Sequence, residues 1–427
     1  MNIAMFTNTY LPHVGGVAKS VHMVTQDLRE TGNQVLVVAP EFPESDALEE
    51  SEDEVLRVPA IQNFNGSDFS VRIAMPFLID GAMDDFMPDI IHSHHPYLLG
   101  DAALRAARRR GLPLVFTHHT RYEEYSHYVA KDASRMKNFA RNLSTEYANL
   151  CTHVVAPSRS IADLIKTRGV VTPITEIPTG VDREFFAGEN GRGFRKEHHL
   201  PEAAFVIGHL GRLAPEKNLE YLAQAVSEAM TTLPDTRFLV VGAGPSEADI
   251  FRVFHEKGLD RRLVMAGKQT GDDLREAYHA MDLFVFASKS ETQGMVLTEA
   301  MAAGLPVIAL DAPGAREVVL DGRNGRLLQS EADPGVFAEA IRELVEDPET
   351  ALSYRTVALE TADGFDRRKC ARKLLDLYEG LLSAPGSHAA PESETPAVWD
   401  DLMKALRAEW ELIREKARAL SKTHDES

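Results

Sequence analysis

The chain reads as an α/β protein made of two doubly wound, Rossmann-like domains that face one another across a cleft. Three observations lead there. Short apolar runs alternate with helical patterns along most of the length, as expected of parallel strands covered on both faces by helices. The 427 residues exceed what one hydrophobic core usually organises, so the series divides into two domains. The glycines, histidines and charged residues suited to chemistry stand just after strands, where ligands bind in open α/β sheets.

Taken in order, the first domain has apolar runs at Ile3–Thr7, Val35–Ala39, Ile90–His92, Leu114–Thr117 and Val154–Ala156. The series resumes with Phe205–Leu210, Phe238–Val241, Leu263–Met265, Leu283–Phe286 and Pro306–Leu310. Between the two sets, Ile177–Asp182 leads into the polar stretch Gly188–His199, which reads as an interdomain linker. The expected domains are therefore 1–185 and 186–366, followed by a helix over 367–383. Residues 384–398 lack periodicity and suit a flexible linker. Beyond it, Trp399, Leu402, Met403, Leu406, Trp410, Ile413 and Leu420 recur at spacings of three and four, an amphipathic helix over 399–424. Trp399 and Trp410 are the only tryptophans. They suit an apolar–water boundary, and a helix docked on its own body or on a second copy is the alternative.

A formal net charge of −19 argues against nucleic acid as the main partner. The two cysteines, Cys151 and Cys370, form neither a disulfide framework nor a metal-ligand pattern, which fits a reducing cytoplasm. The N-terminus runs directly into an apolar strand without a basic leader, so no signal peptide is expected. No apolar run is long enough to span a bilayer. Any membrane contact is then peripheral, on the inner face.

The densest chemistry lies in Glu291-Thr-Gln-Gly-Met-Val-Leu-Thr-Glu299, directly after an apolar strand. Gly294 lets the backbone pass close to a ligand, and the amides of Met295, Val296 and Leu297 open a helix whose N-terminus can bind phosphate. Glu291 could accept bonds from sugar hydroxyls and Glu299 from a ribose. Two acids near a helix start also suit the dipole alone. Upstream, Gly211-Arg-Leu-Ala-Pro-Glu-Lys-Asn218 places Arg212 and Lys217 in one loop, where both can meet a diphosphate. Val240-Val-Gly-Ala-Gly-Pro245 adds a glycine-rich turn.

In the first domain, Gly15 and Gly16 open a helix after the first strand, in a pattern that departs from G-x-G-x-x-G and so disfavours a dinucleotide cofactor. Phe116-Thr-His-His-Thr120 ends a strand and is followed by Arg121-Tyr-Glu-Glu-Tyr-Ser-His-Tyr128. Loop histidines are more often structural than reactive when seen alone.

Read together, the N-terminal P-x-x-G-G-V, the T-[HY]-H-T histidine, the G-R-L-x-x-E-K-N loop, the G-x-G-P turn and the E-x7-E element resemble the family-four retaining glycosyltransferases of GT-B fold, over roughly residues 1–380. The resemblance implies that Glu291 binds the donor hexose and Glu299 the ribose. Arg212 and Lys217 would neutralise the departing diphosphate with the amides around Gly294–Leu297, while Gly15 and Gly16 line the diphosphate and acceptor side. His119 aligns with the family's active-site histidine, with His118 as the alternative, and the helix over 367–382 would return to the first domain. No metal or other cofactor is implied, the UDP-sugar being a co-substrate, although GDP stays open.

The segment from Thr117 to Tyr128 is similar to the subgroup that glycosylates diacylglycerol, with His118 in place of its usual tyrosine. Arg108, Arg109 and Arg110 in one helix, and Lys131, Arg135, Lys137 and Arg141 in another, could meet an anionic bilayer or form ordinary solvated faces. The leading expectation is transfer of a hexose from UDP to diacylglycerol at a membrane surface. Phosphatidylinositol, a soluble sugar or a sugar phosphate are the alternative acceptors, and a non-catalytic nucleotide-sugar-binding scaffold is the alternative class.

Overall fold

The computed structural model describes residues 1–13, 15–41, 54–61, 71–72, 76–122, 133–188 and 191–384. It separates into two units. The first comprises Met1–Ala156, Asp163–Thr175 and the described chain from Leu374 on; the second comprises Pro157–Ala162 and Glu176–Lys373.

The first unit opens with β1 (Asn2–Phe6), α1 (Gly16–Glu30), β2 (Gln34–Pro40), β3 (Val55–Val58) and the antiparallel pair β4 (Ala60–Ile61) and β5 (Val71–Arg72). It continues through α2 (Pro76–Phe86), β6 (Ile90–Ser93), α3 (Leu99–Arg110), β7 (Leu114–Thr117), α4 (Ala133–Asn149), β8 (His153–Ala156), α5 (Arg159–Thr167) and β9 (Ile174–Glu176). Seven strands form a sheet in the order β3-β2-β1-β6-β7-β8-β9. The central strand β1 pairs in parallel with β2 and β6. Ile3, Ala4, Met5 and Phe6 are all fully buried. A strand covered on both faces needs an unbroken apolar run, which is why these segments do not alternate.

The second unit starts with α6 (Arg183–Phe186), α7 (Arg192–Glu197), β10 (Phe205–Leu210), α8 (Leu219–Met230), β11 (Thr236–Val241) and α9 (Glu247–Glu256). Then come β12 (Leu263–Gly267), α10 (Gly271–His279), β13 (Leu283–Phe286), α11 (Met295–Ala302), β14 (Val307–Leu310), β15 (Gly325–Leu328), α12 (Pro334–Glu346) and α13 (Pro348–Gly364). Its six strands lie in the order β12-β11-β10-β13-β14-β15. Ile207, Val240, Val285 and Ile308 join one apolar cluster with α8, α9 and α12. Their neighbours Val206, Leu239, Phe284, Phe286 and Ala309 join a second cluster with residues of α10 and α11. The order reverses between β10 and β13, and the loops after these two strands carry the residues of interest.

Strand positions match the sequence reading closely: Leu114–Thr117, Phe205–Leu210 and Leu283–Phe286 are as expected, and β11 and β12 run two residues further. The expected linker at Gly188–His199 is corrected. Phe186, Phe194 and Leu200 are buried in the second unit's core together with Val181, so the boundary falls at Thr175/Glu176 rather than after 185. Within this unit Val181 also pairs with Asp366, its amide donating to the Phe365 carbonyl at 2.7 Å. The last described helix, α14 (Arg367–Ser383), begins in the second unit and from Leu374 packs in the first, where Tyr378 is fully buried. The expected linker after 384 and the helix bearing Trp399 and Trp410 lie outside the described residues.

Candidate active-site residues

In the second unit, two loops carry the expected donor-binding groups. The loop after β10 places Lys217 in an ion pair with Glu291, and each side chain is only 17% exposed. Burial opposes ionisation of Glu291, but Lys217 and the Ser288 side chain outweigh it and hold the carboxyl below its ordinary range. Arg212 pairs within its own loop with Glu216 and is about half exposed, whereas Glu216 is nearly buried. Cations and carboxylates are thus held ready in pairs, one pair bridging the two loops.

The glycine-rich turn supports this loop. A Cβ on Gly242 would lie 1.9 Å from the Gly211 carbonyl oxygen, so only glycine lets the two turns touch. The Leu213 amide donates to the Ala243 carbonyl at 3.0 Å, and Ser246 returns a bond to Leu213 at 2.9 Å.

The loop after β13 is fixed on both sides. The Gln293 side chain donates to the Thr179 carbonyl and accepts from its amide, both at 2.6 Å. Ser158 Oγ donates to the Thr292 carbonyl at 2.6 Å. Gly294 adopts φ +71°, the left-handed conformation that favours glycine, and starts α11 without a side-chain cap. The expectation of three open amides is corrected here: Leu297 donates to the Gly294 carbonyl at 2.9 Å because the tight first turn brings that oxygen within reach. The Met295 and Val296 amides belong to the same first turn, ahead of which the helix has no carbonyl of its own to offer them. Glu299 is 5% exposed, and its Oε2 accepts from the Tyr278 hydroxyl at 2.8 Å.

In the first unit, α1 begins at Gly16 with extended Gly15 as its uncapped N-terminal residue. His119 and His118, adjacent in sequence, separate in environment. His118 is 1% exposed and packs edge-on against Phe116 and Tyr122. His119 is partly exposed, and its Nε2 lies 2.9 Å from His94 Nδ1. His94 in turn stacks on His92 at 4.3 Å between ring centroids. His92 hydrogen-bonds Tyr378 at 2.5 Å and Thr117 at 2.7 Å. The Asn8 amide donates to His95 Nδ1 at 3.1 Å, which puts the His95 proton on Nε2.

Burial keeps this group neutral. It brings His92 and His95 down to about 3. His94 and His119 also fall well below 6.5, burial being reinforced by repulsion from neighbouring histidines. The sequence reading missed His92, His94 and His95, although His92-Ser-His-His95 stands at the end of β6 as Thr117-His-His119 stands at the end of β7. It also missed His209, whose Nδ1 donates to the Val285 carbonyl at 3.1 Å while burial lowers it to about 4.

The arginine cluster on α3 is not a bare cationic patch. Arg109 pairs with Asp80 and Arg110 with Asp80 and Asp84, all on α2. Arg108 turns inward, with one guanidinium nitrogen buried and its charge felt at Cys151. Lys137 and Arg141 on α4 are exposed. Lys131 and the Arg135 side chain lie outside the described residues. Among the described residues, no group of three or more His, Cys, Asp or Glu side chains is placed to hold a metal ion, and no helix is long and apolar enough to cross a membrane.

Comparison with known proteins accounts for both units. The model for Glycosyltransferase Family 4 matches residues 14–185, and that for Glycosyl transferases group 1 matches residues 192–360. The chain is 27% identical over 376 residues to an alpha-monoglucosyldiacylglycerol synthase of Streptococcus pneumoniae, covering 86% of this chain and 84% of that one. It is 31% identical over 353 residues to a GDP-mannose-dependent alpha-mannosyltransferase of Mycolicibacterium smegmatis, covering 81% and 89%. A sucrose-phosphate synthase structure from Thermosynechococcus elongatus superposes with a TM-score of 0.73 at 21% identity, over 90% of this chain and all of that one. The chain is a glycosyltransferase and belongs to the family-four glycosyltransferases of GT-B fold.

Proposed function

We propose that the chain is a retaining hexosyltransferase that needs no metal and moves a hexose from a UDP-sugar to diacylglycerol at an anionic membrane surface. The observation that carries the donor half is the paired carboxylates on either side of the open start of α11: Glu291 with Lys217, and Glu299 with Tyr278. The lipid acceptor is supported by likeness to the alpha-monoglucosyldiacylglycerol synthase. A second reading, a GDP-mannose donor, is favoured by the mannosyltransferase at 31% identity.

In this reading Lys217, Arg212 and the Met295 and Val296 amides stabilise the negative charge that grows on the diphosphate. Glu291 receives the hexose hydroxyls, and Glu299 the ribose. The bond from the anomeric carbon to phosphate breaks as a bond to the acceptor oxygen forms on the same face. The acceptor proton passes to the leaving phosphate oxygen, giving a nucleoside diphosphate and an α-glycoside. His119, kept neutral, offers hydrogen bonds near the sugar without adding charge.

The test is a transfer assay with UDP-glucose, UDP-galactose, UDP-glucuronate and GDP-mannose against diacylglycerol in anionic mixed micelles, with products read by mass spectrometry. A glycosyl-diacylglycerol from a UDP donor is the expected product. Transfer only to soluble acceptors removes the lipid assignment, and transfer only from GDP-mannose removes the UDP assignment.

A further inference from the structure

The phenol of Tyr278 lies on α10, outside every motif of the donor site, yet it donates to Glu299 Oε2 at 2.8 Å with both residues buried. Its ring is clamped. Phe186 meets it edge-on at 5.5 Å, and Phe284 lies 6.0 Å away. The end of α10 is gripped by the segment that reads as a linker in sequence. A Cβ on Gly191 would fall 2.3 Å from the His279 carbonyl carbon, Arg195 Nε donates to the Ala280 carbonyl at 2.9 Å, and His279 Nε2 bonds the Phe186 carbonyl at 3.0 Å. A donor anchored this firmly fixes the plane of the carboxylate it holds. Burial, with the Glu299 carboxylate beside it, keeps the phenol protonated by raising its pKa well above 10, so it donates throughout the working pH range.

We infer that Tyr278 is a positioning residue of the donor site: by holding one oxygen of Glu299 it aims the carboxylate at the ribose hydroxyls, and its hydroxyl contributes to nucleotide binding only through them. The inference rests on the reading of Glu299 as the ribose carboxylate. Two hydroxyls bound by a carboxylate demand a defined plane, and a side chain with three rotatable bonds does not keep one unaided.

The experiment compares the Kd of UDP with that of 2′,3′-dideoxy-UDP, or the GDP pair if GDP binds more tightly, in the wild type, Tyr278→Phe, Glu299→Ala and the double variant. Tyr278→Phe is expected to weaken UDP binding about fivefold and to change dideoxy-UDP binding by less than about twofold. It should raise donor KM with kcat unchanged, and it should add nothing in the Glu299→Ala background. The ratio of the two Kd values does not depend on the fraction of protein folded, so a lower melting temperature does not obscure the result.

Equal losses for both nucleotides, or a further loss in the double variant, overturn the inference by making Tyr278 a support for the whole unit. No loss overturns it too. If Glu299→Ala loses the preference for the ribose hydroxyls while Tyr278→Phe keeps it, the inference alone falls. If the wild type itself does not distinguish the two nucleotides, the ribose role of Glu299 falls first and takes Tyr278 with it.

Discussion

The two units solve the problem of a buried polar site in opposite ways. In the second, charge is retained and matched: Lys217 faces Glu291, Arg212 faces Glu216, and Glu299 is held by a neutral phenol. In the first, charge is excluded: His92, His94, His95 and His119 are held neutral by burial and bond one another, Tyr378, Thr117 and the Asn8 amide. A diphosphate needs fixed cations where negative charge develops. A neutral acceptor hydroxyl needs donors and acceptors without a strong field. The contrast therefore suits the proposal that the second unit holds the diphosphate while His119 of the first offers hydrogen bonds without adding charge, and it explains why motif reading found the charged half more fully than the neutral one.

The contrast can be broken most directly at Lys217. Lys217→Ala removes the proposed diphosphate cation and leaves Glu291, 17% exposed, without its ion-pair partner, so kcat/KM should fall roughly a thousandfold. Near-normal turnover would mean that the ion pair is only structural. On the other side, His119→Ala should reduce kcat about a hundredfold. His118→Ala should act mainly on stability, because His118 packs between Phe116 and Tyr122. The reverse ranking in steady-state kinetics and thermal melts would exchange their roles.

Acid should separate the units. A histidine whose folded pKa lies below 6.5 contributes stability that is present above 6.5 and is lost as pH falls toward the folded value. The first unit holds two such groups near 3 with His94 and His119 also lowered, while His209 in the second lies near 4. Hydrogen exchange from pH 7 to about 4 should therefore show β6 and β7 losing protection before β10 and β13. Simultaneous loss would deny His92, His94, His95 and His119 a special acid sensitivity.

The smallest expected effect concerns the surface. Lys137→Ala and Arg141→Ala should each weaken binding to anionic vesicles about fivefold if α4 meets the bilayer. Arg109→Ala should change it less than about twofold, since that guanidinium is already paired with Asp80. Sedimentation with vesicles reads both, and an equal loss from Arg109→Ala would restore the α3 cluster as a membrane contact.

Much of the fold was legible because two-sided burial writes itself as unbroken apolar runs, and Phe205–Leu210 and Leu283–Phe286 could be delimited from the residue order alone. Glu291, Lys217 and Arg212 stood out as candidates because they lie in short loops after strands, and Glu299 because it follows Glu291 by eight residues, inside α11. Tyr278 did not: it lies 21 residues from Glu299 in sequence and reaches it only because α10 and α11 bury residues in the same core cluster. The polar segment Gly188–His199 misled for a related reason: Phe194 is buried and Gly191 and Arg195 meet the end of α10, and one buried ring in a charged stretch leaves no periodic signal.

What the amino-acid order determined by itself was local: the strands, the turns that glycine permits, the family motifs, and which residues are candidates for binding a sugar nucleotide. Those follow from backbone sterics and from hydrophobic period, which act over a few residues. Tertiary structure alone decided which partner each polar group found. It chose His119 over His118 for the polar cluster, joined His94 to His119, tied Tyr378 to His92, paired Arg109 and Arg110 with α2, and set Tyr278 against Glu299. A buried polar atom is costly until it meets a complement, and which complement lies within 3 Å is set by the packing of whole helices and sheets.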